Sequence, residues 1–169
     1  MKVINSEIKI NKKCRVCKSK NLKQVINLGN QALTGVFVED GKSVEKFNMS
    51  LSMCLDCGLT QINEVYDLSL LYGDGYGYES SLNSSMIEHL RVKAEKIKET
   101  LFFEPGDIII DIGSNDATSL TFFDESINRI GVDYTGKKFQ SKYDEINAKL
   151  VPDFFPSPQL DEVMNGQKA

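Results

Sequence analysis

The sequence predicts an α/β fold in two parts, a small metal-stapled head followed by an incomplete Rossmann-like sheet, and three observations predict it. Every cysteine of the 169-residue chain falls in one of two Cys-x-x-Cys pairs, the later ending at Cys57. A β-branched run bounded by turn formers, Asp107-Ile108-Ile109-Ile110-Asp111-Ile112-Gly113, has the character of a buried parallel strand. An amphipathic stretch precedes that run, and a second strand-like run, Arg129-Ile130-Gly131-Val132-Asp133, follows it.

The two pairs are Cys14-Arg15-Val16-Cys17 and Cys54-Leu55-Asp56-Cys57. Each can present two thiolates to one ion, and zinc takes four such ligands at about 2.3 Å in closed tetrahedral sites. Cys14, Cys17, Cys54 and Cys57 are therefore candidate ligands of a single structural Zn2+. Saturation by four thiolates leaves no open position for catalysis. A thioredoxin-like redox pair would follow a strand and open a helix, whereas Cys14 lies in a Lys-rich stretch and Cys57 precedes Gly58. Disulfides need an oxidising compartment, and the N-terminus lacks the apolar run and cleavage site of a secretory signal. The separating stretch, residues 18–53, exceeds the usual ribbon spacing, so free thiols, disulfides or an iron–sulfur cluster stay open beside structural zinc.

Element by element, residues 1–65 read as a zinc-ribbon-like module. Residues 22–28 are strand-like, Gly29 and Gly35 punctuate the chain, and residues 47–53 alternate apolar and polar toward the second pair. So few large apolar residues would struggle to offset chain entropy, so the metal is expected to replace much of the core. Residues 66–81 form a Tyr/Gly-rich connector, Leu71-Tyr72-Gly73-Asp74-Gly75-Tyr76-Gly77-Tyr78 and then Glu79-Ser80-Ser81, which reads either as a ligand-covering loop or as an interdomain turn.

Residues 82–160 read as a partial α/β domain. Met86, Leu90, Ala94, Ile97 and Leu101 mark an amphipathic helix that Asn83 or Ser84 caps and Pro105-Gly106 follows. After the first strand, Ser114-Asn115-Asp116 is expected to cap a helix through Ala117, Leu120, Phe122 and Phe123, so that strand, helix and strand make a right-handed βαβ crossover. Residues 161–169 read as a polar tail. The sheet is expected to hold about three strands, few enough to leave apolar faces uncovered. A truncated product, a fragment or one half of a split pair is the corresponding expectation.

Composition narrows the function. With 20 Lys and Arg against 24 Asp and Glu, the net charge is −4, and metal-bound thiolates would add to it, which makes nucleic acid a poor default partner. Lys9, Lys12, Lys13, Arg15, Lys18, Lys20 and Lys23 around the first pair are the one basic cluster, read as a solvated face balancing the thiolates. No apolar run is long enough to span a bilayer, so a membrane partner is not expected. A cytoplasmic setting is the simplest fit to reduced cysteines.

Chemistry concentrates at the two strand ends. Asp111 closes the first strand, Gly113 would let a ligand approach the backbone, and Asp133 at the tip of the second strand is placed to accept from ribose hydroxyls. Strand-end acids that merely face solvent are the bland alternative. A nicotinamide dinucleotide fits poorly, because the Ile112-Gly113-Ser114-Asn115-Asp116-Ala117 loop has one glycine where that fingerprint has three. A cationic sulfonium ligand suits a loop bearing Asp111 and Asp116, since carboxylates attract a cation and accept from an ammonium group.

These residues, in this order, resemble the bacterial S-adenosylmethionine-dependent C-methyltransferases of nucleotide-linked deoxysugars. The resemblance runs through both Cys-x-x-Cys pairs, Leu28-Gly29, Tyr76-Gly77-Tyr78-Glu79-Ser80-Ser81, Met86-Ile87-Glu88-His89, Asp111-Ile112-Gly113-Ser114-Asn115-Asp116 and Asp153-Phe154-Phe155. It implies a zinc-binding head, a class I methyltransferase domain, S-adenosyl-L-methionine as cofactor and a nucleotide-sugar substrate. It implies that Gly113, Asn115 and Asp116 line the methionine end of the cofactor, that Asp133 holds its ribose and that Asp153 and Phe154 flank adenine. Ser80 and Ser81 are implied as further contacts, and Tyr78 as a catalytic tyrosine at the reacting sugar carbon. The only histidine, His89, lies near the apolar stripe and is assigned to packing or hydrogen bonding rather than catalysis. Ala117 stands where that family has a glycine and Tyr134 where it has a proline. The family's sheet is longer than this chain provides, which leaves a truncated product, a fragment or one half of a split pair as the expectations, the last with a second chain supplying the remainder.

Overall fold

Strand β2 (Leu22–Ala32) pairs with β3 (Lys46–Cys54), and β3 with β4 (Thr60–Ile62), in an antiparallel sheet of the order β2-β3-β4. The computed structural model describes residues 8–33, 40, 42–73 and 75–169; the expected punctuation at Gly35 and the connector's Asp74 lie outside the described residues. The chain divides into two units, Met1–Gly77 and Tyr78–Ala169. In the first, two short strands, β1 (Lys9–Ile10) and β5 (Glu64–Val65), pair antiparallel, and a short helix, α1 (Leu68–Tyr72), is capped by Asp67. β2 runs beyond the expected residues 22–28 because two register shifts, after Gln24 and Asn27, let it bend and continue.

The interior of this first unit is polar. Alongside Cys14, Cys54 and Leu33 it buries Ser50, Ser52, Gln61, Asn63 and Glu64. Burial works against ionising Glu64, but the Ser50 amide at 2.9 Å, the Ser50 hydroxyl at 2.8 Å and Asn48 donate to its carboxylate and hold its pKa below the usual range. Where other small domains have a hydrophobic centre, this unit has a cluster of four cysteines.

The second unit is a parallel sheet with helices on both sides. Helix α2 (Ser84–Thr100) leads to β6 (Ile108–Ile112), then β7 (Asn128–Val132), α3 (Gln140–Glu145), β8 (Lys149–Val151) and α4 (Pro158–Met164). The strands lie in the order β6-β7-β8, with Ile110 opposite Ile130 and Val132 opposite Val151. Strand alternation sorts the core into two layers. Ile108, Ile110, Ile130, Val132 and Val151 pack with Leu160, Val163 and Met164 of α4, while Ile109 and Leu150 pack with Leu120, Tyr143 and Ala148.

One expectation is corrected here and two are refined. The helix predicted after Ser114 is a 3-10 turn, Thr118–Phe122, because Asn115 and Ala117 both take positive φ, 49° and 63°, and leave no room for a full α-helical start. The predicted polar tail begins inside α4, whose Ser157 side chain accepts from the Gln159 amide and whose Leu160 is buried. His89 is exposed on α2 and lines an open cavity of about 570 Å3 with Val92, Lys93, Lys96 and Ile97 rather than packing inward. Among the described residues no helix is long and apolar enough to cross a membrane.

Candidate functional site

The four cysteine sulfurs lie within 4.8 Å of one another. Cys14 Sγ is 3.5 Å from Cys57 Sγ and Cys17 Sγ is 3.5 Å from Cys54 Sγ, too far for disulfides. A tetrahedron of thiolates about 2.3 Å from zinc sets its sulfurs about 3.8 Å apart, so the donor set fits one such ion. The two knuckles are built alike. Lys18 N donates to Cys14 O and Gly58 N to Cys54 O, and both Lys18 and Gly58 turn through positive φ so that each loop closes under its sulfurs. Asp56 ties them together by accepting from Ser19 Oγ and from Asn21 Nδ2.

Crowding separates the thiols' acidities. Burial opposes ionisation of Cys14, yet the amides of Cys17 and Val16 and its neighbouring thiols lower its pKa to about 6. At Cys17 the Ser19 amide favours the thiolate, but burial and three nearby sulfurs prevail and raise the pKa to about 12. A divalent cation relieves this conflict by letting all four ionise.

At the carboxyl ends of β6 and β7 the sequence-predicted residues come together. Gly113 continues the ladder, its amide donating to Val132 O at 2.8 Å, and turns at φ +77°. A Cβ placed there would meet nothing within 4 Å, so that side of the strand tip is open. Asn115 N donates to Asp133 Oδ2 at 2.9 Å, which joins the two tips directly. The other oxygen of Asp133 accepts from the amide and hydroxyl of Thr135 at 2.7 and 2.6 Å. The carboxylate predicted to meet a ribose therefore also organises its own loop.

The loop after β6 captures the segment at residues 78–82. Asn115 Nδ2 donates to Tyr78 O at 3.1 Å, and its Oδ1 accepts from the Ser80 amide at 2.9 Å. Asp116 Oδ2 accepts from the Ser81 amide at 3.0 Å and from Lys142 Nζ at 3.1 Å, and Oδ1 from Thr118 Oγ1 at 2.6 Å. Asp116 is thus not the open carboxylate that the sequence offered to a cationic ligand; its side chain is 0% exposed and already faces a lysine. Burial opposes its charge, but the Thr118, Ser81 and Lys142 donors overcome that and keep its pKa low. The Tyr78 ring is exposed, while Ser80 is buried.

Asp111 behaves in the opposite sense. Burial raises its pKa and the nearby Asp133 charge adds to the rise, against the pull of Lys93 and Ser119. Asp153 stays local, accepting from the Phe154 amide and the Ser157 hydroxyl at 2.7 Å each. The Phe154 ring stacks on Tyr134, centroids 4.3 Å apart and planes 11° from parallel.

Sequence reasoning missed two residues of this site. Lys142 reaches Glu79, Ser81 Oγ and Asp116, and Tyr143, fully buried beside it, shares a hydrogen bond with Ser114 Oγ at 2.7 Å and donates to Asn115 O at 2.9 Å. Gly131 marks the Tyr143 contact, since a Cβ there would sit 2.5 Å from both Ser114 Oγ and a Tyr143 ring carbon. The glycine at 131 was the one signal of Tyr143 within the sequence.

Comparison with known proteins agrees with both halves of this picture. Residues 14–72 match the family model Methyltransf_13, described as "Putative zinc binding domain". Over 124 residues, 71% of the chain, the protein is 28% identical to "C-methyltransferase NovU" of Streptomyces niveus. The chain spans 29% of that relative's length. The chain is thus similar to a C-methyltransferase over most of its length, and its head carries a four-cysteine cluster that fits zinc.

Proposed function

We propose that the chain carries the zinc head and the cofactor-holding strands of an S-adenosylmethionine-dependent C-methyltransferase acting on a nucleotide-linked keto-deoxysugar. The observation that carries this reading is the Asn115 to Asp133 hydrogen bond beside the open face of Gly113, which joins two parallel strand tips where a Rossmann-like sheet would have its ligand crevice. Similarity to a C-methyltransferase supports the reaction class.

When bound, the cofactor would supply an electrophilic methyl group on a sulfonium. The protein's own share is placement. Gly113 keeps the strand tip clear, the Asp111 carboxylate faces the ammonium end, and Asp133 retains acceptor capacity for ribose hydroxyls. Phe154 would offer a flat apolar surface to adenine once Tyr134, which stacks on it, moves aside. Tyr78, exposed at the head of the captured segment, orients the keto sugar and stabilises charge on its carbonyl oxygen as the neighbouring carbon loses a proton.

Titration calorimetry with S-adenosylhomocysteine tests this. The unaltered protein is expected to give binding heat, and Gly113→Val to abolish it while the parallel sheet still forms. Silence from folded, unaltered protein overturns the reading. The Tyr134 and Phe154 rings favour a second reading, a non-catalytic zinc-binding assembly module with a remnant cofactor domain, because they cover each other where adenine would lie. The same titration separates the two.

A further inference from the structure

We propose that Lys142 is a positioning residue, a cationic clasp that holds residues 78–82 down on the loop after β6 and so sets the shape of the crevice. In its consequence for cofactor binding this rests on the methyltransferase reading; the clasp itself does not.

Residues 78–82 are a short strap ending in a 3-10 turn, Ser80–Leu82, whose Leu82 is 77% exposed. Packing alone does little to hold such a segment. Hydrogen bonds hold it instead, and they converge on two adjacent residues, Asn115 and Asp116. The arrangement has an electrostatic cost. Glu79 of the strap and Asp116 of the loop direct carboxylates at one place, with Asp116 wholly buried and Glu79 26% exposed. Lys142 stands between them, paired with both and donating to Ser81 Oγ at 2.7 Å.

This is not an ordinary surface ion pair, where solvent screens the gain. Removing the cation would leave Asp116 buried near a like charge. The cheapest relief is for the strap to lift, which carries Glu79 into water and frees the Ser80 and Ser81 amides. Lys142 is well placed for the task, because Tyr143 roots α3 in the core through Ser114 and the Asn115 carbonyl. One turn of helix therefore fixes both sides of the crevice: Tyr143 the loop and Lys142 the strap above it.

The test uses the full zinc-loaded chain and two readouts, amide hydrogen exchange at Ser80 and Ser81 and calorimetric titration with S-adenosylhomocysteine. Lys142→Met is expected to speed exchange of both amides about 10- to 100-fold, the range for losing a buried charge-assisted hydrogen bond. Binding should weaken in the same proportion. Lys142→Arg should restore most of both, and Glu79→Gln in the Lys142→Met background should recover part by removing the repulsion, a non-additivity that mere loss of packing would not produce. Unchanged amide exchange in Lys142→Met overturns the clasp. If exchange responds while the unaltered protein binds no S-adenosylhomocysteine, the clasp is upheld and the cofactor reading falls. Should Lys142→Met not fold, the double variant carries the same readout, and exchange equal to that of the unaltered protein overturns the proposal.

Discussion

Asp111 and Asp116 sit five residues apart and are pushed in opposite directions, Asp111 up by burial and Asp133, Asp116 down by its donors against burial. A carboxyl with a raised folded pKa costs stability above that pKa, and the cost fades as pH falls toward the unfolded value near 4. Asp111→Asn is therefore expected to raise the melting temperature by a few degrees at neutral pH, to lose that gain below about pH 4, and to weaken S-adenosylhomocysteine binding. A pH-independent gain, or none, contradicts the assignment. For Asp116 the sign reverses: its contribution is present above about pH 4 and is lost as acid protonates the carboxylate through its depressed pKa. The ligand cysteines were legible because Cys-x-x-Cys states its chemistry locally. Lys142 was not, because its partners Glu79 and Asp116 come from distant parts of the sequence, and nothing in Gln140-Ser141-Lys142-Tyr143 marks it.

Elements with a strong period were read well and those set by single backbone angles were not. The β-branched runs of β6 and β7 and the apolar stripe of α2 announce themselves, whereas the 3-10 turn depends on Asn115 and Ala117 adopting conformations their side chains do not advertise. The zinc knuckles make the sharpest prediction at this scale. Structural zinc contributes about 10–16 kcal/mol in finger peptides, comparable to the whole stability of a domain at about 5–15 kcal/mol. Cys54→Ser, or chelation, should therefore remove slow-exchanging amides from β2, β3 and β4 together with the bound metal. Full protection of that sheet in metal-free protein would show that its polar core holds without the ion. Acid should release zinc as well, since each ligand must be a thiolate.

For the molecule as a whole, the sheet of the second unit presents β6 as an edge among the described residues, although its run of isoleucines belongs to the kind of strand that parallel sheets bury. Leu101, Phe102 and Ile112 are 56%, 91% and 56% exposed. Under the methyltransferase reading proposed above, the chain alone is expected to transfer little methyl to a 4-keto-6-deoxy nucleotide sugar unless a further polypeptide covers that edge. Turnover in the ordinary enzyme range, about 1–1000 per second, would contradict this. Composition and length say nothing of that uncovered edge; the count of strand-like runs in the sequence, set against β6's character, already pointed to it. The face-to-face rings of Tyr134 and Phe154 bear on timing. A ligand bringing a flat base must wait for two aromatics to part, so its association would be slow and insensitive to concentration once that parting limits the rate. A fragment carrying only the amino-acid end would enter at the pace of diffusion.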